Sequence, residues 1–288
     1  MASLRQIRRR IRSIQSTQQI MRAMQLVSGS KFKRAQGRLL QGRQVLAFLD
    51  ELLRRVLDAV PDVQHPLAQR REALPSALVV MTSDAGLCGS YNANLIQLAE
   101  SELRRDSARH TEIMSVGKKG HRYFTKRGYA SAQAYLNLAG RPDIAKIDAI
   151  GKTLMGRFLN GQIGSVRLLY AKFVSPAVSK PTITQWLPIE LSRPHTADSI
   201  QTQLEYIFEP SAQRVFEDLL PRWAIATFRV VMLEAFTSEH GARMIAMKNA
   251  TDNTQELLGE LTRQRNKIRQ ATITKELSEI VGTAEALK

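Results

Sequence analysis

The chain has 288 residues, 43% hydrophobic and 24% charged, which excludes a collagen-like or wholly disordered polymer and allows one or two domains with a buried core. Its 42 Lys and Arg against 26 Asp and Glu give a net charge of +16, a field that draws anionic partners: nucleic acid, anionic lipid or an acidic protein surface. A single cysteine excludes an internal disulfide framework and any cysteine-rich metal cluster, and no apolar run approaches the ~20 residues of a membrane span.

The charge is concentrated at one end. Residues 1–55 hold 13 Lys and Arg with only Asp50 and Glu51 opposing them, a net +11, whereas residues 56–210 carry +4 and residues 211–288 carry +1. This first stretch contains no proline. Stepping three and four from Leu4 gives Leu4, Ile7, Ile11, Ile14, Gln18, Met21, Gln25, Ser28, Phe32, Ala35, Leu39, Gly42, Leu46, Leu49 and Leu53, of which eleven are apolar. That is a coiled-coil period, and it predicts one helix over 3–60, roughly 85 Å long at 1.5 Å per residue. Ile20, Met24 and Val27 open a second stripe beside the first, so more than one neighbour is expected on this helix.

The middle of the chain alternates strands with helices. Residues 77–82 (ALVVMT) read as a buried strand, 94–109 as a helix, 112–116 as a strand, 118–127 as a helix and 130–135 as a strand. A helix over 143–159 and strands over 166–174 and 182–188 complete the set. This order predicts a mostly parallel sheet with helices on its faces and an antiparallel edge formed by the last two strands. Pro61, Pro66 and Pro75 mark the linker into this part, and Pro188, Pro194 and Pro210 the way out. From 222 to 288 there is again no proline, and Val230, Leu233, Met244, Met247, Leu257, Leu261, Ile268, Leu277 and Ile280 recur at helical spacings. Two such helices most simply pair antiparallel. With Leu46 level with Trp223, paired residue numbers sum to about 267, Met24 approaches Arg243, Ile11 lies near Glu256, and about 20 residues of the C-terminal helix outlast their partner.

Candidate chemistry is sparse. Gly151-Lys152-Thr153 ends like a phosphate loop, but Lys146 stands where the earlier glycine is required. Gly117-Lys118-Lys119-Gly120 follows a strand and opens a helix, where backbone N–H groups can hold an anion, yet it lacks the three-glycine fingerprint and reads as a plain turn. Cys88 follows the first strand, but His65, His110, His121, His195 and His240 show no pairing pattern with it, so it reads as a small packing residue. The arginines at 5, 8, 9, 10 and 12 admit three readings: a mitochondrial presequence, a nucleic-acid-binding stripe, or the solvated face of a coiled coil. The heptad runs through them without a cleavage-like break.

Three ordered segments resemble a known family. Residues 1–36 (MASLRQIRRRIRSIQSTQQIMRAMQLVSGSKFKRAQ), 83–92 (SDAGLCGSYN) and 238–287 (SEHGARMIAMKNATDNTQELLGELTRQRNKIRQATITKELSEIVGTAEAL) are similar to the gamma subunit of F-type ATP synthases, with Ala85 and Ser90 as departures from its central segment. The resemblance implies an α/β fold class: long N- and C-terminal helices in an antiparallel coiled coil, with a central mostly parallel, Rossmann-like α/β domain. The expected domains are 1–60, 75–190 and 211–288. It also implies a non-catalytic rotor shaft without cofactor or metal, turned by proton or sodium flow. Its expected partners are the alpha and beta subunits of the head, the epsilon subunit and the c-ring, and its expected place is peripheral, on the cytoplasmic face of a bacterial inner membrane. By the same resemblance Met24, Lys31, Lys33, Arg34 and Arg243 lie where shaft meets beta. Arg269, Gln270, Thr274 and Glu276 match the segment meeting the beta catch loop, and Tyr206 and Phe208 fall near the ring. The alternative is a basic coiled-coil nucleic-acid adaptor, which accounts for +11 at the N terminus but not for the near-neutral, apolar C-terminal helix.

Overall fold

The computed structural model describes residues 4–59, 64–71, 73–105, 110–129, 131–138, 142–191 and 208–286. Contacts divide the chain into two units, Met1–Ser28 with Met244–Lys288, and Gly29–Arg243.

The larger unit is built on a five-stranded sheet, β1 (Ser76–Met81), β2 (Thr111–Val116), β3 (Ser131–Tyr135), β4 (Ser165–Phe173) and β5 (Ser179–Leu187), in the order β3-β2-β1-β4-β5. All neighbours are parallel except β4 and β5, the antiparallel edge expected from the sequence. Helices α2 (Tyr91–Arg105), α3 (Lys118–Lys126) and α4 (Ile144–Leu159) connect them. Because strand side chains alternate between faces, β1 sends Ala77, Val79 and Met81 into one core and Leu78 and Val80 into the other. The second core is completed by Tyr91, Leu95 and Phe124 of α2 and α3. The first contains Ile147, Leu154 and Phe158 of α4 together with Leu53 and Val56 of α1 (Leu4–Ala59) and Phe216, Leu220, Phe228 and Phe236 of α5 (Ala212–Ala286).

Two side chains fasten α5 to this layer: Arg229 holds Asp148 of α4 through two bonds of 2.9 and 2.7 Å, and Trp186 of β5 donates to Ala224 O at 2.9 Å. Gly151 lies inside α4, where a Cβ would come within 3.0 Å of Phe228 and 3.1 Å of Ile225. The glycine of the Gly-Lys-Thr triplet is therefore a helix-packing position, and the triplet is no phosphate loop. Asp143 caps α4, accepting from Lys146 N at 3.4 Å.

Several features differ from the sequence reading, among them the last strand, which begins at Ser179 rather than at 182. Helix α2 begins three residues early, at Tyr91, because Tyr91 is a core residue whose hydroxyl donates to Ala235 O. A 3₁₀ turn, Pro66–Ala68, sits in the stretch read as linker, with His65 Nδ1 accepting from Leu67 N at 3.0 Å. Helix α5 starts at Ala212 and carries Pro221 inside it. An interior proline costs a helix about 3 kcal/mol, and burial of Phe216, Leu219, Leu220 and Ala224 around it offsets that.

The register of the helix pair also differs. In the larger unit Asp50 accepts from Trp223, and Arg43 Nη2 lies 2.6 Å from Glu234 Oε1. In the smaller unit Gln18 Nε2 donates to Gln255 Oε1 at 2.8 Å, and Thr254 Oγ1 lies 3.6 Å from Met21 Sδ. These pairs run antiparallel with number sums of 273 to 277, not 267. The expected anchor failed because Trp223 is not the start of its helix and pairs one turn beyond Leu46. Ile11 accordingly packs with Ile7, Leu258 and Leu261. Every seam residue from Leu4 to Leu53 is buried or half-buried, whereas Ile20 and Val27 of the second stripe are exposed.

Candidate functional site

In a doubly wound sheet ligands bind beyond the carboxyl ends of the strands, where strand order reverses. Here that point lies between β1 and β4, and the protein's own groups fill it. Residues 231–241 of α5 are all buried. Ser238 Oγ donates to Ala171 O at the end of β4 (2.8 Å), and Tyr91 OH to Ala235 O (3.1 Å). Arg243 reaches the loop after β1, donating from Nε to Gly86 O (3.1 Å) and from Nη2 to Ala85 O (3.0 Å), and it pairs with Glu239 at 2.8 Å.

The neighbouring turn after β2 is closed in the same way. Lys118 N donates to Asp84 Oδ1 at 3.1 Å, Lys119 N to Ser83 O at 3.0 Å and Gly120 N to Thr82 Oγ1 at 2.8 Å. These are the first-turn donors that an anion at a helix start requires, and the loop after β1 uses them all. Gly117 stands at φ +92°, and a Cβ there would lie 2.2 Å from Thr82 O, so only glycine fits. The Gly-Lys-Lys-Gly segment is the plain turn its sequence indicated. Cys88 is buried in the second core, 3.1 Å from Asn92 Nδ2 and 3.8 Å from Ser83 Oγ, a packing position.

Electrostatics in this filled crevice follow from burial. Desolvation holds the Glu239 carboxyl above the usual carboxylate range in spite of Arg243 beside it. Burial, with Glu239 nearby, pushes the Tyr91 hydroxyl well up.

The residues implicated by resemblance fall in different settings. Arg243 is buried and grips the loop 85–86 rather than facing outward. Lys31 is half-buried and acts on Glu239, while Lys33 and Arg34 are exposed. Met24 is half-buried; Arg269, Gln270, Thr274 and Glu276 all lie in the fully exposed run 269–283. Phe208 packs against the first core, and Tyr206 lies outside the described residues. Sequence reasoning passed over Asp84 and Glu239. Glu239 had a legible signal, its i,i+4 spacing from Arg243 on a helix; Asp84 had none, since its partners Lys118 N and Asn137 N are distant backbone groups.

Among the described residues the smaller unit exposes apolar side chains on both of its helices. Leu26 and Val27 on α1, and Ile273, Leu277, Ile280 and Val281 on α5, are exposed at helical spacings. Within each unit the two end helices pair antiparallel, and in the larger unit one of them fills the ligand crevice of a doubly wound sheet; these features define a coiled-coil protein with an α/β domain.

A family model described as ATP synthase matches residues 3–287. The chain is 41% identical to the ATP synthase gamma chain of Symbiobacterium thermophilum over 98% of this chain and 97% of the relative. It is also 41% identical to that of Desulforamulus reducens over the whole of both. The mitochondrial ATP synthase of Euglena gracilis, solved as an OSCP/F1/c-ring assembly, contains a chain of the same fold with TM-score 0.67 at 20% identity, covering 99% of this chain and 94% of that one. This chain belongs to the ATP synthase gamma-chain family.

Proposed function

We propose that the chain is the non-catalytic central rotor of an F-type ATP synthase, coupling ion-driven rotation of a membrane c-ring to conformational change in the catalytic beta subunits. The observation that carries this reading is the exposed run 269–283 of α5. Its apolar and charged side chains are suited to a surrounding sleeve. Arg269, Gln270, Thr274 and Glu276 would meet the beta catch loop there. Lys33 and Arg34, with Met24 and Lys31, would face an acidic loop of beta; exposed ion pairs are worth about 0–1 kcal/mol each, so they guide contact without locking the shaft. Arg243 contributes by holding the loop 85–86 in place. Phe208 would lie toward the ring, and the α/β body toward epsilon. No helix among the described residues is long and apolar enough to cross a membrane. Attachment at the cytoplasmic face of a bacterial membrane would therefore come through the complex.

The test is ATP hydrolysis by alpha–beta–gamma assemblies. Truncation after Ile268 is expected to reduce hydrolysis severalfold, whereas Arg8, Arg9 and Arg10 together changed to Gln should reduce it only modestly, since exposed charges are screened. Nanomolar DNA binding by the free chain at physiological salt, with no assembly on alpha and beta, would favour the nucleic-acid adaptor instead.

A further inference from the structure

A polar cavity of about 340 Å³ opens at the amino ends of the sheet's central strands, opposite the carboxyl-end crevice that α5 fills. Arg70, Arg71, Ser76, Ser165, Arg167 and Glu190 are among its lining residues. Ser76 and Ser165 begin the parallel strands β1 and β4 and are register partners, so the cavity sits where those strands enter the sheet.

Its cations are held in place by the protein. Arg167 is anchored at 2.5 Å to Glu102, which is not part of the wall, and reaches Ser76 Oγ at 3.4 Å. Arg71 donates through Nη1 alone, to Phe158 O at 2.7 Å and Leu159 O at 3.2 Å, and its guanidinium stacks 5.1 Å above the Phe158 ring. Its Nε and Nη2 make no hydrogen bond among the described residues. The Arg71 backbone is fixed too: a Cβ at Gly164 would come within 2.1 Å of Arg71 O, so the linker lies directly on the entry to β4. Arg70 is largely exposed and faces Glu190 at 3.9 Å, a distance at which a solvated pair holds little.

A guanidinium anchored on one nitrogen and stacked on a ring, with donors to spare, is preorganised for a tetrahedral oxyanion. We propose that this cavity binds a small phosphate-class anion, inorganic phosphate or a phosphomonoester. Arg71 supplies the fork, Arg70 closes from the rim and the Ser165 hydroxyl adds a donor. The same chemistry is offered by a free phosphate and by the headgroup of phosphatidic acid.

The experiment uses the full chain at constant ionic strength. One arm titrates inorganic phosphate by calorimetry and follows hydrogen exchange in residues 71–76 and 160–165. The other measures co-sedimentation with phosphatidylcholine vesicles, with and without phosphatidic acid. Arg71→Lys keeps a donor for Phe158 O but loses the fork, and is expected to weaken phosphate binding about tenfold. Arg70→Gln, which touches no structural bond of the linker, should weaken it severalfold. Arg122→Gln, an exposed charge on α3, should leave it unchanged and so controls for the net charge. Dependence on Arg70 and Arg71 in the vesicle arm alone would assign the same site to a lipid headgroup. No binding in either arm, or equal loss in all three variants, would overturn the proposal.

Discussion

Gly117 and His65 are two residues whose roles are set by local contacts. At φ +92° with Thr82 O in the path of a Cβ, Gly117→Ala should destabilise the larger unit by about 2 kcal/mol or more, read as a lower midpoint in urea. His65 must be neutral at Nδ1 to accept from Leu67 N, and it stacks edge-on against Phe216 with ring centres 5.9 Å apart. Burial lowers its pKa from 6.5, outweighing the opposing charge of Glu217. A folded pKa below the unfolded one means that the unfolded chain takes up the proton first, so stability is fully present above about pH 6.5 and is lost as pH falls through the folded value. Thermal melts from pH 7.5 to 5.5 should show this decline, and His65→Asn, which caps without titrating, should flatten it; an unchanged slope would remove the assignment. The sequence marked Gly117 as a turn residue from its place between strand and helix. It did not reveal that the turn is capped from another strand's loop, because Asp84, Ser83 and Thr82 reach it only through the parallel pairing of β1 with β2.

At the scale of elements, periodicity was the reliable signal and alignment the unreliable one. The seam on α1 was legible because one helix face repeats at fixed spacing, and each of its positions is covered. The register depends on where a helix starts, and proline hid that: Pro221 suggested a boundary that buried aromatic contacts override. The corrected register makes a direct prediction. In a Cys88→Ser background, cysteines at Gln18 and Gln255 should crosslink on mild oxidation, and cysteines at Ile11 and Glu256 should not. Efficient crosslinking of the second pair alone would restore the sum of 267. The contact surface was only partly legible: the exposed run 269–283 follows from the length left over, whereas the inward turn of Arg243 needs the folded loop 85–86.

Across the whole molecule, the uneven charge and the filled crevice both bear on how the chain works. The +11 of residues 1–55 lies mainly on exposed positions of α1, and among the described residues few of those cations pair within the chain. Salt should therefore tune association with partners more than folding. The first core joins Leu53 and Val56 near one end of the sequence to Phe216, Phe228 and Phe236 near the other. A ribosome makes these parts in order, so all five strands emerge while one face of the sheet still lacks the helix that covers it. Nascent chains stalled before α5 emerges should remain protease-sensitive across 76–187 and become resistant once residues through 243 are free. Until then the half-made sheet exposes an apolar face of the kind that chaperones bind and that aggregates, so the timing of synthesis, as much as final stability, sets how much of this protein reaches its native state.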